Sequence, residues 1–168
     1  DIVLYAVSRT VTGHKDCNAH YYDDKMVYFK NVHLGVAVDT PKGLLVPTVF
    51  NANKKSLNEL AKEVKVLAEQ AQQGTISPDL IKGGTITVTN LGSLGIETFT
   101  PVINPPQTCI LGVNAIETKV KEVGGEYKYY PAMSLSLTFD HRALDGAPAA
   151  KFLKSLKTNL ENFGILLA

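Results

Sequence analysis

The stretch “MSLSLTFDHRALDG”, residues 133–146, joins an alternating strand pattern to a charged turn. Apolar side chains occupy every second position of its first half, and serine or threonine fills the positions between them; the apolar set is Met133, Leu135, Leu137 and Phe139. This period of two predicts a strand with one face towards a core. The turn that follows places a histidine between two aspartates, and Gly146 gives the backbone the freedom to turn back into a helix.

Helices and further strands surround this stretch. The clearest helix follows Ser56, which forms a capping box with Glu59, and the pattern ends at Gly74. A final apolar stripe predicts a helix that starts at Pro148. Strand patterns are found in residues 32–40, 44–50, 84–90 and 108–114, and a hairpin is predicted to turn at Gly124-Gly125. This order of elements predicts an α/β fold, a two-layer sandwich in which helices cover a mixed β-sheet.

The composition is that of one globular domain, and it argues against several classes of function. The 168 residues carry a net charge of +1 and contain no basic run, so a nucleic-acid surface is not expected. No apolar segment approaches the ~20 residues of a membrane span. Cys17 and Cys109 form an isolated pair without CxxC spacing, so we expect two reduced thiols rather than a disulfide, and no metal site.

The first residues, “DIVLYAVSRTV”, have the pattern of a helix that is already under way. They contain no initiator Met and no basic start of a secretory signal. We therefore expect residues 1–168 to be a single domain taken from a longer protein.

His141 is the first candidate for chemistry. It follows the end of a predicted strand, a rigid support from which a side chain can project into a cleft. An imidazole can accept a proton near neutral pH, as a general base must. The residues alone leave open the alternative that His141 is a solvated polar residue on a turn flanked by acids.

Longer motifs give this turn a context. The stretches “GLLVPTVFNANKKSLNELAKEV” (43–64), “GGTITVTNLGSLGIETFTPVINPPQTCILGV” (83–113), “MSLSLTFDH” (133–141) and “DHRALDG” (140–146) resemble the catalytic domain of the dihydrolipoamide acyltransferases. These proteins are the core components of 2-oxo acid dehydrogenase complexes, and their fold is similar to that of chloramphenicol acetyltransferase. The resemblance covers the whole chain. It implies that the first helix and strand of the catalytic domain, and the upstream lipoyl and peripheral-subunit-binding domains, are missing here.

The resemblance implies roles for three residues. His141 would be the general base that takes the proton from the thiol of coenzyme A or of dihydrolipoamide. Thr89, in “TVTN”, would stabilise the oxyanion through its hydroxyl; Ser93 is the nearby competitor, and a β-branched strand residue without a catalytic role is the other alternative. Asp145 would organise the loop through salt bridges or hydrogen bonds, with Arg142 as the obvious type of partner. Asp140 has the same structural interpretation.

The acyl group is inferred from one local difference. This chain has “TNLGSLG” where the succinyl-transferring branch resembles “TNGG”, which favours an uncharged group. Acetyl, from a pyruvate or acetoin dehydrogenase complex, is the first choice; a branched-chain acyl group is the second, and succinyl transfer is the remaining alternative. Lys54 and Lys55 could meet the phosphates of coenzyme A, although a solvated surface pair is the better interpretation.

Two alternatives of other kinds stay open. Some relatives of this family keep the fold, lose the histidine and serve only as a structural core, but this chain has both His141 and Thr89. Another HxxxDG acyltransferase, acting on a small alcohol or amine, fits the motif at residues 141–146 but not the “INPPQ” and “NLGSLG” stretches.

The resemblance also implies an assembly. Members form trimers that build hollow cubes or dodecahedra, and His141 of one subunit would face Thr89 of its neighbour. The partners would be a lipoyl domain and the 2-oxo acid dehydrogenase and dihydrolipoamide dehydrogenase components, in the bacterial cytoplasm rather than the mitochondrial matrix, with no nucleic acid or membrane. The apolar tail “FGILLA”, residues 163–168, would contact a neighbouring trimer or fold onto its own subunit.

Overall fold

The computed structural model describes residues 1–167 as a mixture of helices and strands. The helices are α1 (Ile2–Thr10), α2 (Leu57–Gln73) and α3 (Gly146–Glu161). The strands are β1 (Ala19–Tyr22), β2 (Lys25–Tyr28), β3 (Leu34–Val36), β4 (Val38–Thr40), β5 (Gly43–Leu45), β6 (Thr48–Val49), β7 (Ile86–Asn90), β8 (Cys109–Val123) and β9 (Glu126–Phe139). Within residues 1–167, no helix combines the length and the apolar character needed to cross a membrane.

A five-stranded sheet forms the centre of the molecule, in the order β6-β3-β7-β8-β9. Strands β3, β7 and β8 run parallel, while β6 and β9 pair antiparallel at the two edges. The sheet is therefore mixed, as the order of elements predicts. Two small hairpins, β1–β2 and β4–β5, lie outside it. A turn at residues 41–43 joins β4 to β5, with Gly43 at a φ of 111°.

The two faces of the sheet have opposite chemistry. The face towards the helices is apolar and packs against α1, α2 and α3; it carries Leu34, Ile86, Val88, Leu111, Val113, Met133, Leu135, Leu137 and Phe139. Alternation along each strand puts hydroxyl-bearing, amide and glycine residues on the other face. Residues 91–107 run across that face, where the Ser134 hydroxyl donates to the carbonyl of Glu97 and the Thr138 hydroxyl donates to the carbonyl of Pro101.

The capping signals are confirmed at α2, and one helix start is corrected at α3. Ser56 and Glu59 form the capping box, and Gly74 ends the helix in a left-handed conformation with φ 69°. Helix α3 begins at Gly146, with Asp145 as its N-cap residue, so the predicted start at Pro148 is two residues late. Proline is accepted within the first turn because its missing N–H has no intrahelical partner there.

The predicted hairpin at Gly124-Gly125 is confirmed, and it is longer than the sequence pattern indicates. Strand β8 runs from the buried Cys109 to the exposed Val123 and pairs with β9 on both sides of an irregularity between Val113 and Ile116, where the register shifts. Both turn glycines have positive φ values, 63° and 84°, which glycine adopts at little cost.

The apolar tail is divided between the two alternatives. Phe163 stacks edge-on against Tyr5, with ring centroids 5.9 Å apart, and the Tyr5 hydroxyl donates to the carbonyl of Leu166 at 3.1 Å. Ile165 and Leu167 instead stay 72% and 56% exposed. Half of the tail therefore folds onto its own subunit; the contact with a neighbouring trimer stays a prediction, and the last tail residue lies outside the described residues.

The two cysteines are free thiols, and both are buried. Contact with Cys17 and burial raise the pKa of Cys109, since both disfavour the thiolate. Two buried free thiols agree with the expectation of reduced cysteines.

Candidate active site

His141 lies on the turn between strand β9 and helix α3. Its imidazole Nδ1 is 3.7 Å from a carboxylate oxygen of Asp145, four residues later on the same turn, and both side chains are largely exposed. The imidazole ring also lies 5.5 Å from the ring of Phe139, the last residue of β9. The structure therefore brings together two of the three predicted site residues, and because Nδ1 is the nitrogen next to the acid, Nε2 is the candidate to take a proton.

The partner of Arg142 differs from the expected one. Its guanidinium binds Asp140 through two parallel hydrogen bonds, Nε to Oδ1 at 3.0 Å and Nη2 to Oδ2 at 2.7 Å. This pairing lowers the pKa of the Asp140 carboxyl, chiefly through the hydrogen bond from the Arg142 side chain. Arg142 thus forms its ion pair with Asp140 rather than with Asp145. The reason is geometric, because residues 140 and 142 close a tight turn while Asp145 has already entered the cap of α3.

Thr89 is half-buried near the carboxyl end of β7. It pairs with Gly112 of β8, and its side chain lies on the polar face of the sheet. The absence of a side chain at Gly112 leaves room for Phe99, whose ring would be 2.8 Å from an added Cβ. Ser93 is exposed on the short 3₁₀ helix Gly92–Leu94 that follows β7. Both hydroxyl candidates therefore lie at one end of the sheet.

Thr89 and His141 of one chain lie at opposite ends of the sheet. The register aligns Thr89 with Gly112 and Gly112 with Ser136. From Ser136, β9 runs back towards the amino end of β8, and the Asp140 N–H donates to the carbonyl of Thr108 there. Four residues along a strand and two strand spacings across the sheet place the backbone at Asp140 about 16 Å from Thr89. The two side chains of one chain therefore cannot contact the same reacting atom.

Other predicted contacts are surface features. Lys55 forms an ion pair with Glu63 at 2.6 Å, and Lys54 is exposed. This arrangement agrees with the surface-pair interpretation of the two lysines. In the part of the chain that the structure describes, no group of three or more His, Cys, Asp or Glu side chains is arranged to hold a metal ion.

One contributor to the turn, Tyr21, was missed by the sequence reasoning, whereas the structural role expected for Asp140 is confirmed. The guanidinium of Arg142 lies over the ring of Tyr21, 4.7 Å from its centroid, and Asp140 completes the pair described above. The opposite charges two residues apart were a usable signal for the Asp140–Arg142 pair. Nothing in the sequence indicates that Tyr21, more than a hundred residues earlier, contacts this turn.

The comparison with protein families decides the relationship. The model of the 2-oxoacid dehydrogenases acyltransferase family (catalytic domain) matches residues 1–168. The chain belongs to this family. The resemblance drawn from the motifs of the sequence is thereby confirmed.

Named relatives of this acyltransferase-family chain include enzymes of two systems. It is 44% identical to the dihydrolipoyllysine-residue acetyltransferase component of the acetoin cleaving system of Bacillus subtilis, over 98% of this chain and 42% of that protein. It is 39% identical to an acetyltransferase component of the mitochondrial pyruvate dehydrogenase complex of Arabidopsis thaliana, over 96% of this chain and 31% of that protein. The chain thus spans less than half the length of these relatives.

Solved structures agree with the family assignment. The dihydrolipoamide acetyltransferase of Azotobacter vinelandii superposes with a TM-score of 0.94 at 35% identity, over 99% of this chain and 69% of that one. In that protein, the catalytic roles of a serine, a histidine and an asparagine were investigated; the histidine follows the serine by 52 residues and the asparagine follows the histidine by four. The cubic core of the pyruvate dehydrogenase multienzyme complex superposes equally well, at 36% identity, over 99% of this chain and 69% of that one.

A more distant structure confirms the fold class. Chloramphenicol acetyltransferase superposes with a TM-score of 0.62 at 15% identity, over 95% of this acyltransferase-family chain and 76% of that one. At this identity the likeness concerns the fold alone. The predicted fold, a mixed sheet covered by helices and similar to chloramphenicol acetyltransferase, is confirmed.

Proposed function

We propose that this chain is the acyl-transferring domain of a 2-oxo acid dehydrogenase complex, which moves an acetyl group between a lipoyl group and coenzyme A. His141 acts as the general base and Thr89 as the oxyanion donor, at a site formed by two copies of the chain. The single observation that supports this most directly is the placement of the two residues at opposite ends of one sheet.

The assignment of the residues is supported by spacing. His141 follows Thr89 by 52 residues and Asp145 follows His141 by four, which are the spacings of the three residues investigated in the Azotobacter vinelandii acetyltransferase. Ser93 does not fit this spacing. The residue type differs at two of the three positions, since Thr89 stands in place of the serine and Asp145 in place of the asparagine. Both replacements keep the needed group, a hydroxyl donor in one case and an oxygen acceptor for the imidazole N–H in the other.

The chemistry requires a base because thiols are weak nucleophiles at neutral pH. A thiol with a pKa of ~8.5 is only slightly ionised at pH 7, and a positioned base contributes roughly 10²–10⁴-fold. His141 takes the thiol proton while the sulfur attacks the thioester carbonyl, and a new C–S bond forms. The carbonyl oxygen becomes an oxyanion, to which Thr89 donates its hydroxyl hydrogen bond. Collapse breaks the old C–S bond, and the imidazolium returns the proton to the departing thiolate.

The two-copy site follows from the distance within one chain. The attacking sulfur and the carbonyl oxygen are attached to the same carbon, so the base and the donor must lie within a few ångströms of one another. The register keeps Thr89 about 16 Å, along and across the sheet, from the backbone of Asp140, the residue before His141. A second copy can supply the missing half, and a cleft between subunits is open at both ends for two long substrates.

The remaining assignments rest on the relatives. The named relatives are acetyltransferase components, which supports acetyl over branched-chain or succinyl groups. We infer a trimer within a larger core, with lipoyl and subunit-binding domains outside residues 1–168 and with the dehydrogenase components as partners; a cubic core is known for a pyruvate dehydrogenase complex. The Bacillus subtilis relative supports a bacterial cytoplasmic location over the mitochondrial matrix.

Mixed oligomers of two inactive variants test the shared site. Full-length His141→Ala and Thr89→Ala proteins are unfolded together and refolded, and acetyl transfer from acetyl-CoA to dihydrolipoamide is measured. Some mixed interfaces then pair an intact His141 with an intact Thr89, so part of the activity should return. Each variant refolded alone is the control for spontaneous recovery.

Two outcomes would contradict the proposal. If mixed oligomers form but activity stays at the level of the separate variants, both groups act from one chain and the shared site is wrong. If the unmodified protein transfers no acetyl group at all, the structural-core alternative replaces the enzyme.

A further inference from the structure

Two charged residues bracket His141 on the turn. The guanidinium of Arg142 and the carboxylate of Asp140 meet in the two parallel hydrogen bonds described above, and the backbone N–H of Arg142 adds a third, to Asp140 Oδ1 at 2.9 Å. The three bonds close a ring around the residue between them. The backbone on both sides of His141 is therefore fixed by its immediate neighbours.

The bracket is also attached to the rest of the domain. The Asp140 N–H donates to the carbonyl of Thr108, just before β8, at 2.8 Å. On the other side, the Arg142 guanidinium lies over the ring of Tyr21 in β1, and the Tyr21 N–H donates to the carbonyl of Pro106 at 2.8 Å. Both attachments end on residues 106–108, so the turn is held against one short segment from two directions.

His141 itself makes few contacts that could orient it. Its side chain is 73% exposed, and its described neighbours are the ring of Phe139 and the carboxylate of Asp145, at 3.7 Å. A base must nevertheless be held close to its productive position, because a misplacement of about 1 Å can cost on the order of 10²-fold in rate. Part of the order of the imidazole must therefore come from the backbone of the turn.

The bracket is only in part suited to a role in stability. Exposed ion pairs contribute little to folding, and the Arg142 side chain is 64% exposed, although that of its partner Asp140 is 17% exposed. Its bidentate geometry instead fixes direction, which is the property that separates arginine from lysine. Because the Arg142 side chain lowers the pKa of Asp140, the pair stays ionised through the neutral range in which a thiol transferase would be assayed.

We propose that Asp140, Arg142 and Tyr21 form a positioning bracket that holds the His141 imidazole in its catalytic orientation. The inference rests on the proposed function and extends it to three residues that contact neither substrate. The competing role for an exposed arginine beside an active site is direct binding of an anionic substrate group, such as a phosphate of coenzyme A. The two roles differ in the kinetic parameter that they affect.

The bracket is tested by steady-state kinetics on the full-length protein. Arg142→Lys keeps the positive charge but loses the two parallel hydrogen bonds to Asp140. The value of kcat should therefore fall about 10-fold or more while KM for coenzyme A stays within twofold. Tyr21→Phe keeps the ring under the guanidinium and should be near normal, while Tyr21→Ala should lower kcat in the same way. The double variant Asp140→Asn, Arg142→Lys should lower kcat no more than the more damaging of the two single changes does, because both changes break the same Asp140–Arg142 pair.

A matched control is available beside the bracket. Asp23 is fully exposed, and its Oδ1 lies 3.8 Å from Arg142 Nη1. It takes no part in the two parallel hydrogen bonds between Arg142 and Asp140. Asp23→Asn should therefore leave kcat and KM unchanged. Thermal unfolding and oligomer size are measured for each variant, and if Arg142→Lys alone fails to assemble, Tyr21→Ala tests the bracket from its other side.

The outcomes separate this inference from the proposed function. His141→Ala is assayed in parallel; if it retains normal turnover, the proposed function is wrong. If His141→Ala is inactive while Arg142→Lys and Tyr21→Ala keep normal kcat, only the bracket is wrong. A rise in KM for coenzyme A with normal kcat would assign Arg142 to substrate binding and would also overturn the bracket.

Discussion

The two ends of the central sheet support their candidate residues in different ways. At one end, Thr89 is half-buried within an interior strand that has hydrogen-bonded neighbours on both sides. At the other, His141 is exposed on a turn after the edge strand β9 and depends on the ion pair of its neighbours. A fixed donor needs only to stay in place, whereas a base must remain open to an incoming thiol. The sheet itself positions the first, and the second requires a bracket of its own.

The largest effect is expected at the His141 end. His141→Ala should reduce acyl transfer by roughly 10²–10⁴-fold, because the attacking thiol loses its base. The measurement is kcat with acetyl-CoA and dihydrolipoamide, together with oligomer size and thermal unfolding, which should not change because the side chain is mostly exposed. Near-normal turnover in this variant would remove the mechanism.

The Thr89 end should show a smaller loss confined to kcat. Thr89→Ala should lower kcat by about 10²–10³-fold with little change in KM, because the oxyanion hydrogen bond forms only in the transition state. Thr89→Ser keeps the hydroxyl and should retain most activity. Ser93→Ala is the matched control on the same segment; a damaging Ser93→Ala beside a silent Thr89→Ala would transfer the role to Ser93.

The rigidity of the Thr89 end can be tested through Gly92. A Cβ added there would press into the carbonyl group of Asn114 in β8 and come within 2.9 Å of the Ala115 backbone nitrogen. Gly92→Ala should therefore cost about 1–3 kcal/mol of unfolding free energy and displace the segment that follows Thr89. Gly13→Ala is the control, since its added Cβ meets nothing within 4 Å. Equal stability of the two variants in urea unfolding would show that the contact at Gly92 is loose.

The smallest effect is expected away from both ends. Ser56→Ala removes the capping box of α2 and should cost about 1 kcal/mol of stability without changing kcat. Hydrogen bonds from Ser56 lower the pKa of Glu59, so the contribution of Glu59 is present above its unfolded pKa and is lost as pH falls through its folded one. The free energy of unfolding is measured for the unmodified protein and for Ser56→Ala at pH 7 and pH 3. The difference between the two proteins should be smaller at pH 3. A fall in kcat would show that α2 is coupled to the site.

Local patterns predicted the elements well because each depends on nearby residues. The cap at Ser56, the stop at Gly74, the alternation of residues 133–139 and the turn at Gly124-Gly125 are all confirmed. The start of α3 was wrong by two residues because proline is tolerated throughout the first turn of a helix, and Pro148 is the third residue of α3.

The site depended on information that periodicity does not contain. His141 and Asp145 lie four residues apart on one short turn, so their proximity follows from their closeness in sequence. The separation of Thr89 from His141 follows instead from strand order and register, and a period of two leaves both undetermined. Tyr21 shows the same limit, since its contact with Arg142 joins a peripheral hairpin to a distant turn.

Strand β8 has a consequence for how the domain opens in solution. Its residues 109–115 are buried in the sheet, while residues 118–123 are exposed in a ribbon that has only β9 as a neighbour. A two-stranded ribbon is marginally stable by itself, so amide hydrogens near the tip should exchange with deuterium through local fraying. Those at the base should exchange only when the whole domain unfolds. One continuous strand therefore reports both local and global opening free energies, residue by residue, in a single exchange experiment.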